Sequence, residues 1–159
     1  EKILYFMCKD GLYFDYNFAT DTCSDTFSCA SLFPYFVGLD NDVRGFKKAL
    51  ERVERPFGLV ACDSKENGYQ WSAPNSWAPL NFVAFQSAKK LSLDEEVDRI
   101  AKKYVIATDA LFEKTGKLWE KYNAENGELD HASEYGTPDM LGWTAGVYVV
   151  CKQYLKEKM

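Results

Sequence analysis

The sequence predicts an all-α protein, a single domain built as an array of antiparallel helices. Apolar residues recur at helical spacing in four separate stretches. No turn of the Asn-Gly type sits between alternating strands, because Asn67-Gly68 and Asn126-Gly127 fall in polar loops. No low-complexity segment or long linker divides the chain, so residues 1–159 are expected to form one helical domain.

The helices follow in order. A short one is expected from Ile3 to Cys8, and another from Ser28 to Val37, interrupted by Pro34. Val43, Phe46, Leu50 and Val53 lie on one helical face, behind the cap-rich Asp40-Asn41-Asp42 and ahead of Pro56, which cannot continue a helix. Trp77, Leu80, Ala84, Ala88 and Leu91 form a second stripe. Ser92 and Glu95 have the spacing of a capping box, in which each side chain satisfies an amide of the first turn. They would open a third helix with Leu93, Val97, Ile100, Tyr104, Thr108 and Leu111 inward. Met140, Trp143, Val147, Val150 and Tyr154 stripe the last helix.

Composition narrows the function. A chain of 159 residues can bury roughly 70% of its unfolded surface. Its aromatic content of 16% suits either a bulky core or a carbohydrate cleft. The net charge of −5 argues against a nucleic-acid partner, which requires a basic face. No run approaches the ~18 apolar residues of a membrane span. The five cysteines (8, 23, 29, 62 and 151) lack C-x-x-C spacing and are expected to be mostly reduced and buried. With His131 as the only histidine they make a poor ligand set, so neither metal nor other cofactor is expected.

The most informative stretch runs from Gln70 to Leu80, Gln-Trp-Ser-Ala-Pro-Asn-Ser-Trp-Ala-Pro-Leu. Pro74 and Pro79 fix φ, remove donors and bias their predecessors away from the α region. The expected result is a stiff loop presenting the faces of Trp71 and Trp77 beside the amides of Gln70 and Asn75. Flat apolar faces suit the C–H face of a sugar ring, and planar amides suit its hydroxyls. Composition alone accommodates equally a turn with two core tryptophans.

Downstream lie Leu118-Trp119-Glu120-Lys121-Tyr122-Asn123, then Ser133-Glu134-Tyr135, then Leu141-Gly142-Trp143-Thr144-Ala145-Gly146-Val147. With the Pro/Trp loop, this order closely resembles the C-terminal part of the trehalase family of glycoside hydrolases. That family carries Gln-Trp-Asp-x-Pro-Asn-Gly-Trp-Ala-Pro-Leu-Gln, then Glu-Lys-Tyr-Asp or -Asn, then a Gly-rich run ending in Glu-Tyr, then Gly-Trp-Thr-Asn-Gly-Val. The likeness covers most of the chain, since Gly11-Leu12-Tyr13-Phe14-Asp15-Tyr16-Asn17 is similar to the family's aromatic-Asp-Tyr-Asp element. The eleven-residue loop is the specific part. Ser72, Ser76, Asn81 and Ala145 depart from the pattern, as does His131-Ala132-Ser133 in place of the glycines. These departures bear on the sugar contacts, and so on the substrate.

The resemblance implies part of an (α/α)6 barrel and inverting hydrolysis of an α-glucosidic bond, with α,α-trehalose as the first expectation. That reaction needs two carboxyls, one to protonate the leaving oxygen and one to activate water. By motif position Glu120 is the general base, and Glu134 binds a sugar hydroxyl and positions the water. Gln70, Trp71, Asn75 and Trp77 complete the expected sugar-binding set. The family's general acid, an Asp in a Trp-Asp-Phe-Ser-Ser-Arg-Trp-like segment, has no counterpart in these residues. The chain therefore reads as the last third of a longer catalytic domain, whose remainder is its expected partner besides a small carbohydrate. Two other readings stand beside this one. A related inverting α-glucosidase of glucosidase-I type shares the Glu-x-Tyr-Asn-like segment and the Gly-Trp-Thr helix start, and a non-catalytic helical module would keep the fold without the reaction. Asp63, Asp130 and Asp139 read as solvated loop acids, His131 as a solvated loop histidine, and Trp143 as core. Glu120, Glu134, Trp71 and Trp77 should converge on one surface, and an exposed apolar strip should mark where the absent helices pack.

Overall fold

A computed structural model of the chain describes residues 2–64, 69–129, 135–139 and 142–158. Helices α1 (Lys2–Met7), α2 (Phe33–Phe36), α3 (Val43–Val53), α4 (Ala78–Lys90), α5 (Asp94–Thr115) and α6 (Gly142–Glu157) dominate it. Between them lie strands β1 (Cys8–Lys9), β2 (Leu12–Tyr13), β3 (Tyr16–Asn17), β4 (Thr22–Cys23), β5 (Glu54–Arg55), β6 (Gly58–Leu59), β7 (Asn75–Trp77) and β8 (Lys121–Asn123). They pair in sequence order as antiparallel two-stranded ladders, β1 with β2 through β7 with β8. No described helix is long and apolar enough to cross a membrane.

The ladders correct the purely helical expectation. The turn between β1 and β2 is Asp10-Gly11, both with positive φ (52° and 76°). That is the chemistry of a tight hairpin turn whose twist matches the strands, and the Asp-Gly pair is its signal in the sequence. Paired segments of two or three residues are too short to produce an alternating pattern.

The helices form for readable reasons. Ser28 accepts the amide of Ala30 and opens a 3-10 turn over Cys29–Leu32. Pro34 then occupies the first turn of α2, where its missing N–H costs nothing. The expected interruption is thus the boundary between two short helices. Asp42 caps α3 through the amide of Arg44, and Phe46, Ala49, Leu50 and Val53 go inward, while Val43 stays half-exposed.

Helix α4 packs against α2, α5 and α6. Ala84, Ser87 and Ala88 are fully buried, and their small size permits approach from several sides. The expected capping box before α5 does not form. Ser92 takes a left-handed conformation (φ 57°) and its amide donates back to Lys89 O, while Leu93 holds the cap position without a side-chain bond. Asp94, Glu95 and Glu96 in the first turn favour the positive end of the helix dipole instead. The expected inner face from Val97 to Leu111 is buried, and Gly116 (φ 69°) ends the helix by bonding Phe112 O.

Helix α6 runs antiparallel to α5. Tyr148 and Lys152 clasp Asp109, and Tyr154 and Lys158 clasp Asp98, each donor pair one turn apart. Thr144, Val147 and Cys151 are its buried residues, whereas Trp143 and Val150 are part-exposed. The helix is therefore rotated from the expected stripe, and Met140 lies outside the described residues.

Cys29, Cys62 and Cys151 are buried and all five cysteines are free thiols. Asp63 is not merely solvated: it pairs with Arg52 and accepts the amide of Phe27. Asp139 pairs with exposed Lys117, and Asp130 and His131 lie outside the described residues. At the N-terminal end α1 buries none of its side chains, leaving Ile3, Leu4, Tyr5 and Phe6 exposed, as are Phe18 and Val37.

Candidate active site

The two sequence motifs meet in a β-ladder. In β7 against β8, Asn75 faces Asn123, Ser76 faces Tyr122 and Trp77 faces Lys121. A main-chain bond from Ala124 N to Pro74 O (2.8 Å) extends the contact. The Pro/Trp loop and the Glu-Lys-Tyr-Asn segment, over forty positions apart in the chain, thereby share one site.

Tight packing holds the ladder from behind. Asn81, in the first turns of α4, donates to Ser76 Oγ and to Trp77 O, each at 2.9 Å, and accepts the amide of Leu59. The Tyr122 hydroxyl donates to Phe57 O (3.0 Å), and burial pushes its phenol above the ordinary range. Gly58 (φ 152°) fits beneath it because a Cβ there would lie 2.7 Å from the Tyr122 oxygen. Ser72, Ser76 and Asn81 are all buried. These three departures from the family pattern are therefore interior, and those at Ser76 and Asn81 hydrogen-bond to each other.

The aromatic wall is layered. Trp77 is only 2% exposed, caps α4, and donates its indole N–H to Gln70 O at 3.0 Å. Trp71 stacks flat on it, with centroids 4.1 Å apart and planes 6° from parallel, and is itself 49% exposed. Trp143 meets Trp77 edge-on at 5.9 Å. The exposed wall is thus Trp71 and Trp143, with Trp77 beneath; the expectations of a surface Trp77 and a core Trp143 exchange places. Asn75 is also buried within β7, and Gln70 contributes its main-chain carbonyl. Prolines do keep Trp77 out of a helix face, but the strand that results is an inner one.

Glu120 immediately precedes β8, whose Lys121 lies opposite Trp77. Its amide donates to Pro138 O (3.1 Å), and Trp119 beside it bridges to Asp139. Thr144 Oγ1 from α6 donates to Trp119 O (2.7 Å), so two segments hold the backbone. The carboxylate accepts the Tyr135 hydroxyl at Oε2 (2.7 Å), and Lys121 Nζ lies 3.7 Å from the same oxygen. Lys121 is 1% exposed, its ammonium 4.2 Å from the centre of the Tyr135 ring and 5.4 Å from that of Trp77. Glu134, expected to act beside Glu120, lies outside the described residues. Sequence reasoning passed over Lys121 and Tyr135 as site residues. The signal was their position inside the quoted motifs, since a lysine between a candidate acid and an inner strand must find its own compensation.

A recessed carboxylate with an ordered hydroxyl donor, a buried cation and a half-open wall of indole rings defines a site suited to acid–base work on a small polar ring compound. The trehalase family model matches residues 4–156. A periplasmic trehalase from Xanthomonas oryzae pv. oryzae is 36% identical over 143 residues, covering 87% of this chain and 25% of that protein. One from Pseudomonas aeruginosa is 33% identical over 141 residues, covering 86% of this chain and 26% of that protein. Among solved structures, the neutral trehalase of Saccharomyces cerevisiae superimposes with a TM-score of 0.82 at 25% identity, over 96% of this chain and 28% of that one. A GH63 mannosylglycerate hydrolase from Thermus thermophilus, with glucose bound, shares the fold with a TM-score of 0.71 at 17% identity, over 92% of this chain and 35% of that one. The chain belongs to the trehalase family. It spans about a quarter of the length of the curated relatives it matches.

Proposed function

We propose that these residues form the C-terminal portion of an (α/α)6-barrel glycoside hydrolase that converts α,α-trehalose to glucose with inversion. The observation that supports the reading is the β7–β8 pairing, which joins the Pro/Trp loop to the segment that follows Glu120. The wall would receive the apolar face of a glucose ring. Glu120 would take a proton from a water as that water attacks the anomeric carbon. As the C–O bond breaks, the leaving glucose oxygen would take its proton from a carboxylic acid contributed by the remainder of the catalytic domain. Inverting pairs stand ~6.5–9.5 Å apart so that the water fits between base and sugar. Glu134 remains the candidate for holding that water and a sugar hydroxyl. The apolar surface of α1 would pack on the same remainder.

The test is trehalose turnover by the whole protein, with the anomer of the released glucose followed by polarimetry or NMR. One β-glucose formed at each cleaved α-bond supports inversion, and formation of α-glucose alone would defeat it. The isolated 159-residue chain should be silent, because a base without its acid forfeits general-acid help typically worth about 10²–10⁴-fold. Clear turnover by the isolated chain would mean that another carboxyl here serves as acid. Turnover of other α-glucosides without trehalose would favour the glucosidase-I type of activity, and a whole protein inactive on all of them would favour a non-catalytic module.

A further inference from the structure

The geometry points to Lys121 as a positioning residue that, with Tyr135, pins one oxygen of Glu120 so that the other receives the proton. This rests on Glu120 being the base of the reaction proposed above. The asymmetry is in the distances. Oε2 takes both the Tyr135 hydroxyl at 2.7 Å and the Lys121 ammonium at 3.7 Å. Oε1 accepts no hydrogen bond among the described residues.

A glutamate has three side-chain torsions, and a base that must meet a water at one angle loses rate when those torsions wander. One hydroxyl donor and one nearby ammonium on the same oxygen restrain the carboxylate and leave Oε1 without a partner among the described residues. The lysine is itself held in place. Its backbone pairs with Trp77 across the ladder, and its ammonium lies between the Tyr135 and Trp77 rings. Ring faces attract a desolvated cation, but a buried ammonium still needs a nearby anion. Glu120 is the carboxylate beside it among the described residues. The bland alternative is that Lys121 fills space beneath Trp77 and that its charge is incidental.

The experiment compares wild type, Lys121→Met, Lys121→Arg, Tyr135→Phe and Glu120→Gln in the whole protein, reading kcat, KM and Tm with trehalose. Lys121→Met should lower kcat on the order of 10²-fold with KM within about threefold. Its Tm should hold or rise, because an apolar side chain of similar length replaces a buried charge. Lys121→Arg, which keeps the cation, should recover roughly tenfold of the lost kcat, and Tyr135→Phe should cost roughly tenfold.

Wild-type kcat in Lys121→Met overturns the inference. So does an equal loss in the Met and Arg variants accompanied by a fall in Tm, which is the signature of packing alone. If Lys121→Met does not fold, Tyr135→Phe decides: kcat within about threefold of wild type overturns the pinning of Oε2, and the tenfold loss at unchanged KM supports it. Glu120→Gln separates the two levels. Full turnover in that variant removes the base itself, whereas lost turnover there beside an unaffected Lys121→Met removes only the positioning role.

Discussion

Among the carboxylates that sit beside lysines, Glu54 and Glu120 are engaged in opposite ways. Glu54, at the start of β5, is closed on both oxygens. Arg99 donates to Oε1 at 2.8 Å and to Oε2 at 3.1 Å, and Lys103 adds a bond to Oε1 at 2.7 Å. Burial alone would raise its pKa, but these two cations outweigh it and hold the carboxyl below its usual range. Glu120 is engaged on one oxygen only among the described residues. The contrast teaches a rule of reading. A carboxylate whose acceptor sites are filled from its own fold fastens α5 to the β5–β6 hairpin. Under the proposed function, the oxygen of Glu120 that has no partner among the described residues is the one that meets the water.

The comparison breaks most sharply at Glu120. Glu120→Gln keeps the shape and can still hold a water, but it cannot accept the water's proton. In the whole protein kcat on trehalose should fall by about 10²–10⁴-fold, the usual worth of a general base. The Kd for trehalose should change little, because the base acts mainly in the transition state. Equilibrium binding together with steady-state turnover checks both halves. Near wild-type kcat would show that the half-engaged carboxylate is not the base.

At Glu54 the same substitution should spare kcat and cost stability. Hydrogen bonds to charged groups contribute ~1.5–3 kcal/mol, and the exposure of Arg99 places the loss in Glu54→Gln near the lower end of that range. The pH dependence has a fixed sign. A carboxyl whose folded pKa is depressed contributes stability that is fully present above the unfolded value of about 4.3, and that is lost as pH falls through the folded value. The difference in Tm between wild type and Glu54→Gln should therefore be constant at neutral pH and shrink below about pH 4. A difference that grows on acidification would contradict the clasp. A large drop in kcat would mean that the two carboxylates are not divided as argued.

Much of this was legible in the residues, and the failures have physical causes. The long helices announced themselves because Phe46, Leu50, Val97, Ile100, Tyr104 and Leu111 repeat at helical spacing over many turns. The hairpins did not, because two paired residues cannot display a period; only Asp10-Gly11 gave one away. The Ser92–Glu95 spacing looked like a capping box, yet Ser92 closes the preceding helix in a left-handed turn. For the site, the residue types of the Pro/Trp loop were informative, but which tryptophan faces out was not. That depends on the β7–β8 register, which buries Trp77 opposite Lys121 and leaves Trp71 as its cover. Ser72, Ser76 and Asn81 looked like changes in sugar contacts but are buried, and Asn81 donates to Ser76 Oγ.

The smallest effect should come from Trp71, and it sharpens the contrast on the Glu120 side. Glu120 is linked to the Trp71–Trp77 pair through Lys121, whose ammonium lies 3.7 Å from its carboxylate and 5.4 Å from the centre of the Trp77 ring. Trp71 is half-exposed and stacks on a buried partner, so removing it deletes surface without opening the core. Aromatic stacking is worth ~0.5–1.5 kcal/mol beyond area, so Trp71→Ala should weaken trehalose binding by roughly 2- to 12-fold. Trp71→Phe should keep part of that affinity, since a smaller flat face remains. Because the wall acts on ground and transition state alike, the change should appear in KM with kcat nearly constant. Measuring both variants against trehalose and glucose, with Tm as a control, tests the assignment directly. An unchanged KM in Trp71→Ala would remove the indole from the sugar-binding surface, and Trp143, edge-on to the same inner ring, would then be the ring to test next.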